Sequence, residues 1–188
     1  MLDTSRPEDL LTTALSAFES GTGYKSVLDR IPAPVYATDA EGRVTYWNQA
    51  CVDFAGREPQ LGHDRWCVTW QLYTMSGDAL PHDRCPMATA IREQRAIRNE
   101  VAIALRPDGT RVAFRPYPTP LFDDEGKLTG AVNILIDISE QQSEALMEQA
   151  ARCRRLARST TDERTLDVLR SMAAGYEETA EALHHKQA

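Results

Sequence analysis

Apolar residues at the start of the chain recur with the period of an α-helix. A helix is predicted over residues 7–20, with Pro7 near its start and Gly21 just past its end. A second short helical turn is expected at 24–29. The positions that form the apolar face of the first helix are Leu10, Leu11, Ala14, Leu15 and Phe18.

The pattern then changes to the alternation and turn residues that are typical of β-strands. The segments 35–38 and 43–47 are predicted to be two strands joined by a tight turn, in which Gly42 can adopt a positive φ. These elements form a predicted hairpin. Asn48 follows it in the position of a helix N-cap, and the short helix that it opens is expected to end at Gly56.

The rest of the first 138 residues predicts an irregular stretch, a helix and three strands. Proline and glycine recur through 57–86, and a helix is expected at 87–97. The predicted strands are 100–105, 111–122 and 128–138. The second of them is broken by three prolines, which places it at an edge or in an irregular stretch, and the third is apolar enough to be central. This order predicts an α+β fold, with a five-stranded antiparallel sheet and helices on one face.

The last fifty residues predict two amphipathic helices. Ser139 and Gln142 fit a capping box, and Thr160 and Glu163 fit a second one. The short connection between the helices predicts a helical hairpin. Its two apolar stripes consist of Leu146, Ala150, Cys153, Leu156 and Ala157, and of Leu166, Leu169, Met172, Ala173, Tyr176, Ala180 and Leu183.

Three motifs in this order resemble the PAS domain family, over about residues 27–140. They are Asp39-x-x-Gly42-x-Val44-x-x-x-Asn48-x-Ala50, then Arg106-Pro-Asp-Gly109-Thr110, then Gly130-Ala-Val-Asn-Ile-Leu-Ile-Asp137-Ile138-Ser139. The resemblance implies a sheet that curves around a cavity and an exit that couples it to an output helix. Asp137 and Ser139 are the expected signal-transfer residues, because both can hydrogen-bond backbone donors at the helix start. They either cap the helix only, or cap it and also transmit a signal.

The resemblance also suggests three parts and a class of function. The expected parts are an N-terminal amphipathic helix at 1–26, a PAS domain at 27–139 and a C-terminal helical hairpin at 140–188. The loop 65–87 is similar to PAS modules of bacterial sensor histidine kinases. However, the first C-terminal helix lacks a histidine to accept phosphate, and no glycine-rich ATP-binding segment follows. The two histidines near the end, His184 and His185, are expected to be solvated.

A stand-alone sensor or adaptor is therefore the predicted function. It would be non-enzymatic, since no nucleophile elbow, phosphate loop or His-Glu-x-x-His motif occurs. The expected partner is a regulatory protein such as a histidine kinase or a phosphotransfer protein. The apolar faces of the first helix and of the hairpin predict a homodimer.

Composition excludes several other classes of function. The formal net charge is −7 and no basic stripe occurs, so nucleic acid is not an expected partner. No apolar run approaches the roughly 20 residues that a membrane span requires. The first residues do not resemble a secretory signal, and the four cysteines are scattered, so reduced thiols and a cytoplasmic location are expected.

Aromatic and polar residues supply candidates for a ligand pocket within the expected domain. Either they line a cavity or, as is more common for such aromatics, they form part of the core. A buried asparagine inside a strand also needs a hydrogen-bond partner, which a ligand or a loop could supply. The candidates are Trp47, Trp66, Trp70, Tyr73, Phe114, Arg115 and Asn133.

A metal or haem site is an alternative for the irregular stretch. His63, Cys67, His82 and Cys85 offer two imidazoles and two thiolates, the donor set of a tetrahedral zinc site. Cys85 with Pro86 also matches the dipeptide found where thiolates bind haem. Otherwise, Cys85 is a small buried residue that opens the next helix, and His82 satisfies a loop backbone group. The cysteine motif of the flavin-binding light-oxygen-voltage branch is absent, so flavin is not expected, and the cofactor remains unassigned.

Overall fold

The computed structural model describes residues 6–19 and 23–184, except for the side chain of His184. The first half contains α1 (Pro7–Glu19), α2 (Tyr24–Leu28), β1 (Val35–Asp39), β2 (Val44–Trp47), α3 (Gln49–Ala55), β3 (Gln71–Tyr73), a 3-10 turn (His82–Arg84) and α4 (Pro86–Glu93). The second half contains β4 (Ala102–Leu105), β5 (Arg111–Pro116), β6 (Thr119–Phe122), β7 (Leu128–Asp137), α5 (Ser139–Ser159) and α6 (Glu163–His184). The predicted end of the first helix at Gly21 and the predicted solvation of His185 concern residues outside the described ones.

The strands form one antiparallel sheet in the order β2-β1-β7-β5-β4-β3, and β6 pairs with β7 outside this path. The predicted α+β class and the central position of the last strand are confirmed. The sheet has seven strands rather than five, because β3 lies in the stretch predicted to be irregular and the segment 111–122 divides in two. Helices cover both faces of this sheet.

The proline-rich segment 111–122 is predicted to lie at an edge or in an irregular stretch, and the edge alternative is wrong for its first half. β5 lies between β4 and β7 and pairs with both. Pro116 is the last residue of β5 and Pro118 lies in the break, while Pro120 belongs to β6. The prolines therefore mark the interruption and the short strand after it, where a missing backbone N–H is tolerated.

The two faces of the sheet bury different helices. On the inner face, α3 and α4 pack against a core that includes Tyr36, Phe54 and Phe114. On the outer face, α1 and α2 pack against Val35, Ala37, Val132 and Ile134. Because successive strand residues point to opposite faces, Val35 and Tyr36 belong to different cores.

The apolar face of α1 is buried within the chain. Leu10, Leu11 and Ala14 contact the outer face of the sheet, together with Ala17. The sequence predicted that this face takes part in a homodimer. Because the face is buried against the sheet, α1 does not offer it to a second copy of the chain.

The predicted helical hairpin consists of α5 and α6. Small buried residues, Ala150, Cys153 and Ala173, lie where the helices meet. The Ser143 hydroxyl donates a hydrogen bond of 3.2 Å to the Ala180 carbonyl across the pair. Leu183 near the end of α6 is buried beside Ile103, Ala113 and Ile138, so the hairpin returns to the outer face of the sheet.

Neither predicted capping box forms as expected. Ser139 is the first residue of α5, and its hydroxyl bonds the backbone of β5 instead of the helix. Before α6, Asp162 accepts hydrogen bonds from the Thr165 N–H at 2.9 Å and from its hydroxyl at 2.5 Å. Asp162 thus caps α6, because it precedes the helix directly and its carboxylate reaches the third helical N–H.

Across the described residues, none of the helices combines the length and apolar character that crossing a lipid bilayer would require.

Candidate functional site

A chain of buried polar groups crosses the inner face of the sheet. Tyr36 on β1 lies opposite Asn133 on β7, and the Asn133 amide donates a hydrogen bond of 3.0 Å to the tyrosine oxygen. The Tyr36 hydroxyl donates in turn to the Trp66 carbonyl, also at 3.0 Å. The Asn133 Oδ1 accepts from the Tyr117 N–H at 2.8 Å, where β5 ends. Both side chains are thus buried with their hydrogen-bonding groups satisfied.

Three thiols surround this chain of groups. Cys85 donates to the Trp66 carbonyl at 3.7 Å, and Cys51 donates to the Val35 carbonyl at 3.2 Å. Cys67 shares a hydrogen bond of 3.1 Å with the Thr69 hydroxyl. Burial raises the pKa of Cys85 to about 12, and a smaller contribution comes from Cys67. Burial also raises the pKa of the Cys51 thiol. Protonated, enclosed thiols of this kind are poor nucleophiles and poor metal ligands.

Burial is also the main reason that the pKa of Tyr36 is raised well above its usual value. The neighbouring Cys67 and Cys85 raise it further, while the hydrogen bond from Asn133 opposes the shift. The tyrosine is therefore a neutral hydroxyl that donates to Trp66 and accepts from Asn133.

Trp66 closes the inner face at the β1–β2 turn. Its backbone N–H donates to the Gly42 carbonyl at 2.7 Å, and the Arg65 guanidinium lies 5.2 Å from its ring centroid. A Cβ on Gly42 would lie 2.1 Å from the indole ring, so only glycine permits this contact. Trp66 itself has a φ of 69°, a strained conformation for a bulky residue. The loop is thus held in a conformation that costs free energy locally and is maintained by its contacts.

The predicted pocket residues divide between the two faces of the sheet. Trp47, Trp66 and Phe114 lie on or against the inner core with Asn133, and the Phe114 ring packs edge-on to Phe54 with centroids 5.3 Å apart. The Trp47 Nε1 is buried and has no hydrogen-bond partner among the described residues. These four are the candidates that the structure brings together.

The other three candidates lie elsewhere. Tyr73 packs in the outer cluster beside the hairpin, and Arg111 lies 5.6 Å from its ring centroid. Arg115 pairs with Ile136 and projects to the face opposite its neighbour Phe114. Trp70 is 47% exposed, and it lines an open surface cleft of about 360 Å³ together with Tyr73. The sequence could not assign the faces because the register of the strands was not known.

The four proposed metal ligands do not converge. His63 is exposed in the loop, whereas Cys67 and Cys85 are buried in the core. In the part of the chain that the structure describes, no three His, Cys, Asp or Glu side chains form a group able to hold a metal ion. The zinc hypothesis therefore receives no support from the geometry.

The alternative interpretation of Cys85 fits better than haem ligation does. Cys85 is the N-cap residue of α4, and Pro86 occupies the first turn of that helix. His82 lies beside Arg57 and Asp64, and its pKa is lowered, mainly by burial and then by Arg57, against the opposing effect of Asp64. Its Nε2 is buried without a hydrogen-bond partner among the described residues.

The exit of the sheet is a hydrogen-bonded joint between β5 and α5. The Ser139 Oγ accepts from the Ala113 N–H at 3.0 Å and donates to the Ala113 carbonyl at 3.4 Å. The Ile138 N–H donates to the same carbonyl at 2.9 Å. Asp137 accepts from the Ser139 N–H at 2.9 Å, as expected of a residue at the helix start. Ser139 therefore links the helix to the sheet, a role that the sequence did not distinguish from capping.

Two other motif residues have structural roles that sequence reasoning missed. Asn48 precedes α3 in the N-cap position, but its side chain accepts from the Val35 N–H at 3.0 Å and donates to the Ala33 carbonyl at 2.9 Å. Arg106 donates to the carbonyls of Phe54 and Asp53 at the end of α3, at 2.8 and 2.9 Å. The sequence showed a polar residue at a fixed place in each motif. It could not show what these side chains bind, because their partners are distant in sequence.

The family model described as PAS fold matches residues 28–143, well over half of the chain. The chain therefore belongs to the PAS-fold family. Domains of this family are sensor domains that generally act as signal-transduction modules and are typically non-enzymatic. No curated protein matches the chain.

Several solved structures have a similar fold. The Rhodobacter sphaeroides LOV protein is 14% identical, with a TM-score of 0.45, and the match covers 97% of this chain and 100% of that one. The LOV domain from the Erythrobacter litoralis EL346 blue-light activated histidine kinase is 22% identical, with a TM-score of 0.45, over 58% of this chain and 98% of that one. An RNA-binding light-oxygen-voltage receptor is 18% identical, with a TM-score of 0.48, over 87% and 37%. Likeness of this degree concerns the fold alone.

Proposed function

We propose that this chain is a non-enzymatic signalling module that senses a small ligand or cue and regulates a partner protein. In this proposal, residues 27–139 form the sensing domain, 140–188 form the output hairpin, and 1–26 form an N-terminal segment whose helix α1 covers part of the outer face. The cytoplasm remains the predicted location.

The observation that carries the proposal is the joint at Ala113. Ser139 at the start of α5 bonds both backbone groups of this residue. Leu183 near the end of α6 is buried in the same cluster as Ala113. Both ends of the hairpin therefore pack against β5, a central strand. A displacement of this strand would move the two ends together, as a rigid-body transition requires.

The outer surface of the hairpin supports a role in binding a partner. Val168 and Met172 lie one turn apart on α6, and Met147 and Leu156 project from α5. All four are between 44% and 54% exposed. Met147 and Leu156 are nine residues apart and lie on opposite sides of α5, so Val168 and Met172 are the pair that forms one exposed apolar face. An exposed apolar face on a helix is typical of helix-mediated recognition. We propose that this surface binds a regulatory protein such as a histidine kinase or phosphotransfer protein, or a second copy of the chain.

The test compares a hairpin variant with a matched surface variant. The double variant Val168→Glu/Met172→Glu introduces charge on the proposed surface, and Leu61→Glu does so at a loop residue that is 56% exposed. Each tagged protein is expressed in its native cells, and the captured proteins are quantified by mass spectrometry. We expect partners to be lost from the hairpin variant alone. Equal capture by both variants would refute output through this surface.

The mass of the purified protein in solution tests the homodimer. Light scattering at micromolar concentration should give a dimer for the original chain and for Leu61→Glu, and a monomer for the hairpin variant. Thermal melting of all three proteins, followed by circular dichroism, checks that the substitutions leave the fold intact. A monomer in every case would exclude self-association through the hairpin.

A further inference from the structure

Two stripes run side by side along α6, each with the alternating spacing of three and four residues that is typical of a coiled-coil seam. The buried stripe includes Ala173, which packs against Ala150 and Cys153 of α5. The second stripe, named here the exposed stripe, lies one residue earlier and about 100° around the helix. Its members are Thr165, Val168, Met172, Gly175, Thr179 and Ala182.

The exposed stripe carries no charge. It extends for about 25 Å along the helix, and its first four members are exposed to solvent. Charged residues make up 26% of the chain, and those of α6 all lie at other positions. The solvated face of a helix is normally its charged face, so this stripe resembles a surface that packs against another helix.

Gly175 has no packing reason within the chain. It lies in the interior of a helix of 22 residues, where glycine is less favourable than alanine. A Cβ at this position would meet no atom within 4 Å. A bare backbone at such a place allows a second backbone to approach closely.

The flank of the exposed stripe has charges arranged symmetrically. Arg164 and Glu178 each precede a member of the stripe, and each is seven residues from Ser171. Both side chains are exposed and make no hydrogen bond or ion pair within the described part of the chain. Asp167 and Glu181 lie further around the helix, away from the stripe. An antiparallel copy with Ser171 at the twofold axis would therefore bring Arg164 to Glu178 of the second copy, twice by symmetry.

The same register also matches the apolar residues. It places Val168 opposite Met172 of the second copy and the reverse, in two layers at the centre of the pair. Gly175 lies opposite Thr165 of the second copy in the next layers. Apolar contacts at the centre and opposite charges at the rim thus agree on one alignment.

We infer that a second copy of the chain covers the exposed stripe of α6 in this antiparallel register, so that two hairpins form a four-helix bundle. The inference rests on the proposed function, because it names a second copy as the partner of the hairpin surface.

Cross-linking of the purified full-length chain tests the register. The four native cysteines are buried, so a cysteine introduced on α6 is the accessible one. In the antiparallel pair, the two residues at position 171 face each other, whereas those at position 179 are about 27 Å apart. With diamide as the oxidant, Ser171→Cys should give a covalent dimer on a non-reducing gel, and Thr179→Cys should not. A dimer from Thr179→Cys would indicate parallel helices, and no dimer from either variant would exclude this contact; both results overturn the inference.

Charge reversal tests the rim of the pair. Arg164→Glu should raise the dimer dissociation constant about tenfold in sedimentation experiments, because one substitution replaces attraction by repulsion in both symmetric contacts. The double variant Arg164→Glu/Glu178→Arg should restore the original value. Arg170→Glu, at an exposed position off the stripe, is the control and should leave the value unchanged. If the double variant associates no better than Arg164→Glu, the proposed alignment is wrong.

These outcomes are separate from those of the capture experiment. If neither cysteine variant cross-links while Val168→Glu/Met172→Glu still loses captured proteins, this inference fails and the proposed output function stands. If Ser171→Cys alone cross-links while capture is unchanged, the pairing of α6 stands and output through this surface fails.

Discussion

The Ser139 hydroxyl accepts a hydrogen bond of 3.0 Å from the backbone N–H of Ala113, 26 residues earlier in the chain. Ser139→Ala would deprive this buried N–H of its acceptor, which costs about 1–3 kcal/mol of unfolding free energy. Because the hairpin loses a link to the sheet, we expect hydrogen exchange in 139–184 to be faster in the variant than in the original chain. Exchange in β1 and β7, measured by the same mass spectrometry, should change less.

Ser159→Ala is the matched control, because the Ser159 hydroxyl donates to the Leu156 carbonyl at the exposed end of α5. It should leave both stability and exchange close to those of the original chain. If the two variants exchange alike, the Ser139–Ala113 contact does not hold the hairpin on the sheet.

Asn133 provides a second test, because it is a donor to Tyr36 inside the core. Asn133→Asp keeps the shape but replaces that donor with a buried carboxylate, and should cost about 3 kcal/mol or more at pH 7.5. Burial would raise the pKa of the new carboxyl above its unfolded value, so the neutral form is favoured in the fold. Part of the lost stability should therefore return as the pH is lowered toward 5.5.

Chemical denaturation at the two pH values measures this effect. Thr129→Asp places the same group at an exposed position of the same strand and should show neither the large loss nor the recovery. A loss of stability at position 133 that does not change with pH would show that the carboxylate finds solvent or another partner.

Most of the fold was predictable because its signals are local. The hairpin at Gly42, the apolar β7 and the two long helices each show their own periodicity. β3 was missed because it has only three residues, of which Leu72 alone is buried. The prolines indicated the break between β5 and β6, but not the contacts that hold it, because the Tyr117 N–H binds Ile134 and Asn133, which are distant in sequence.

The candidate site was predictable only in part, because its contacts join residues that are distant in sequence. The sequence indicated that Asn133 would need a hydrogen-bond partner if it were buried, but it could not identify Tyr36 as that partner. Arg115 was assigned to the pocket although it projects to the opposite face, because a strand's own alternation does not say which face is inward.

Gly42 and Gly77 form a matched pair for testing the Trp66 contact. Both have positive φ values, 82° and 89°, so alanine is strained at either position. A Cβ at Gly77 meets no atom within 4 Å, whereas at Gly42 it overlaps the Trp66 ring. Gly77→Ala should cost about 1 kcal/mol, and Gly42→Ala distinctly more.

Tryptophan fluorescence and thermal melting distinguish the two glycine variants. Displacement of the Trp66 ring in Gly42→Ala should expose the indole and shift its emission to longer wavelength, while Gly77→Ala retains the original spectrum. Identical spectra and melting temperatures for the two variants would mean that the loop does not rest on the turn.

The buried thiols predict a loss of stability at alkaline pH. The pKa of Cys85 is raised from its ordinary value of 9.0 to about 12, chiefly by burial. The unfolded chain therefore loses this proton at a lower pH than the folded chain does. The stabilisation is complete below pH 9 and is lost progressively as the pH rises from 9 toward 12, by up to about 1.4 kcal/mol per pH unit for one thiol.

Comparison with Cys85→Ala isolates this group from the lysines and tyrosines that also titrate there. Urea denaturation of both proteins from pH 7.5 to 10 should show the original chain losing stability faster above pH 9, so that the difference between them narrows. A constant difference across this range would mean that the Cys85 thiol ionises as readily in the fold as in the unfolded chain. The thiol would then be accessible to solvent. The inner face, which Trp66 closes over Tyr36, would have to be open to water at Cys85.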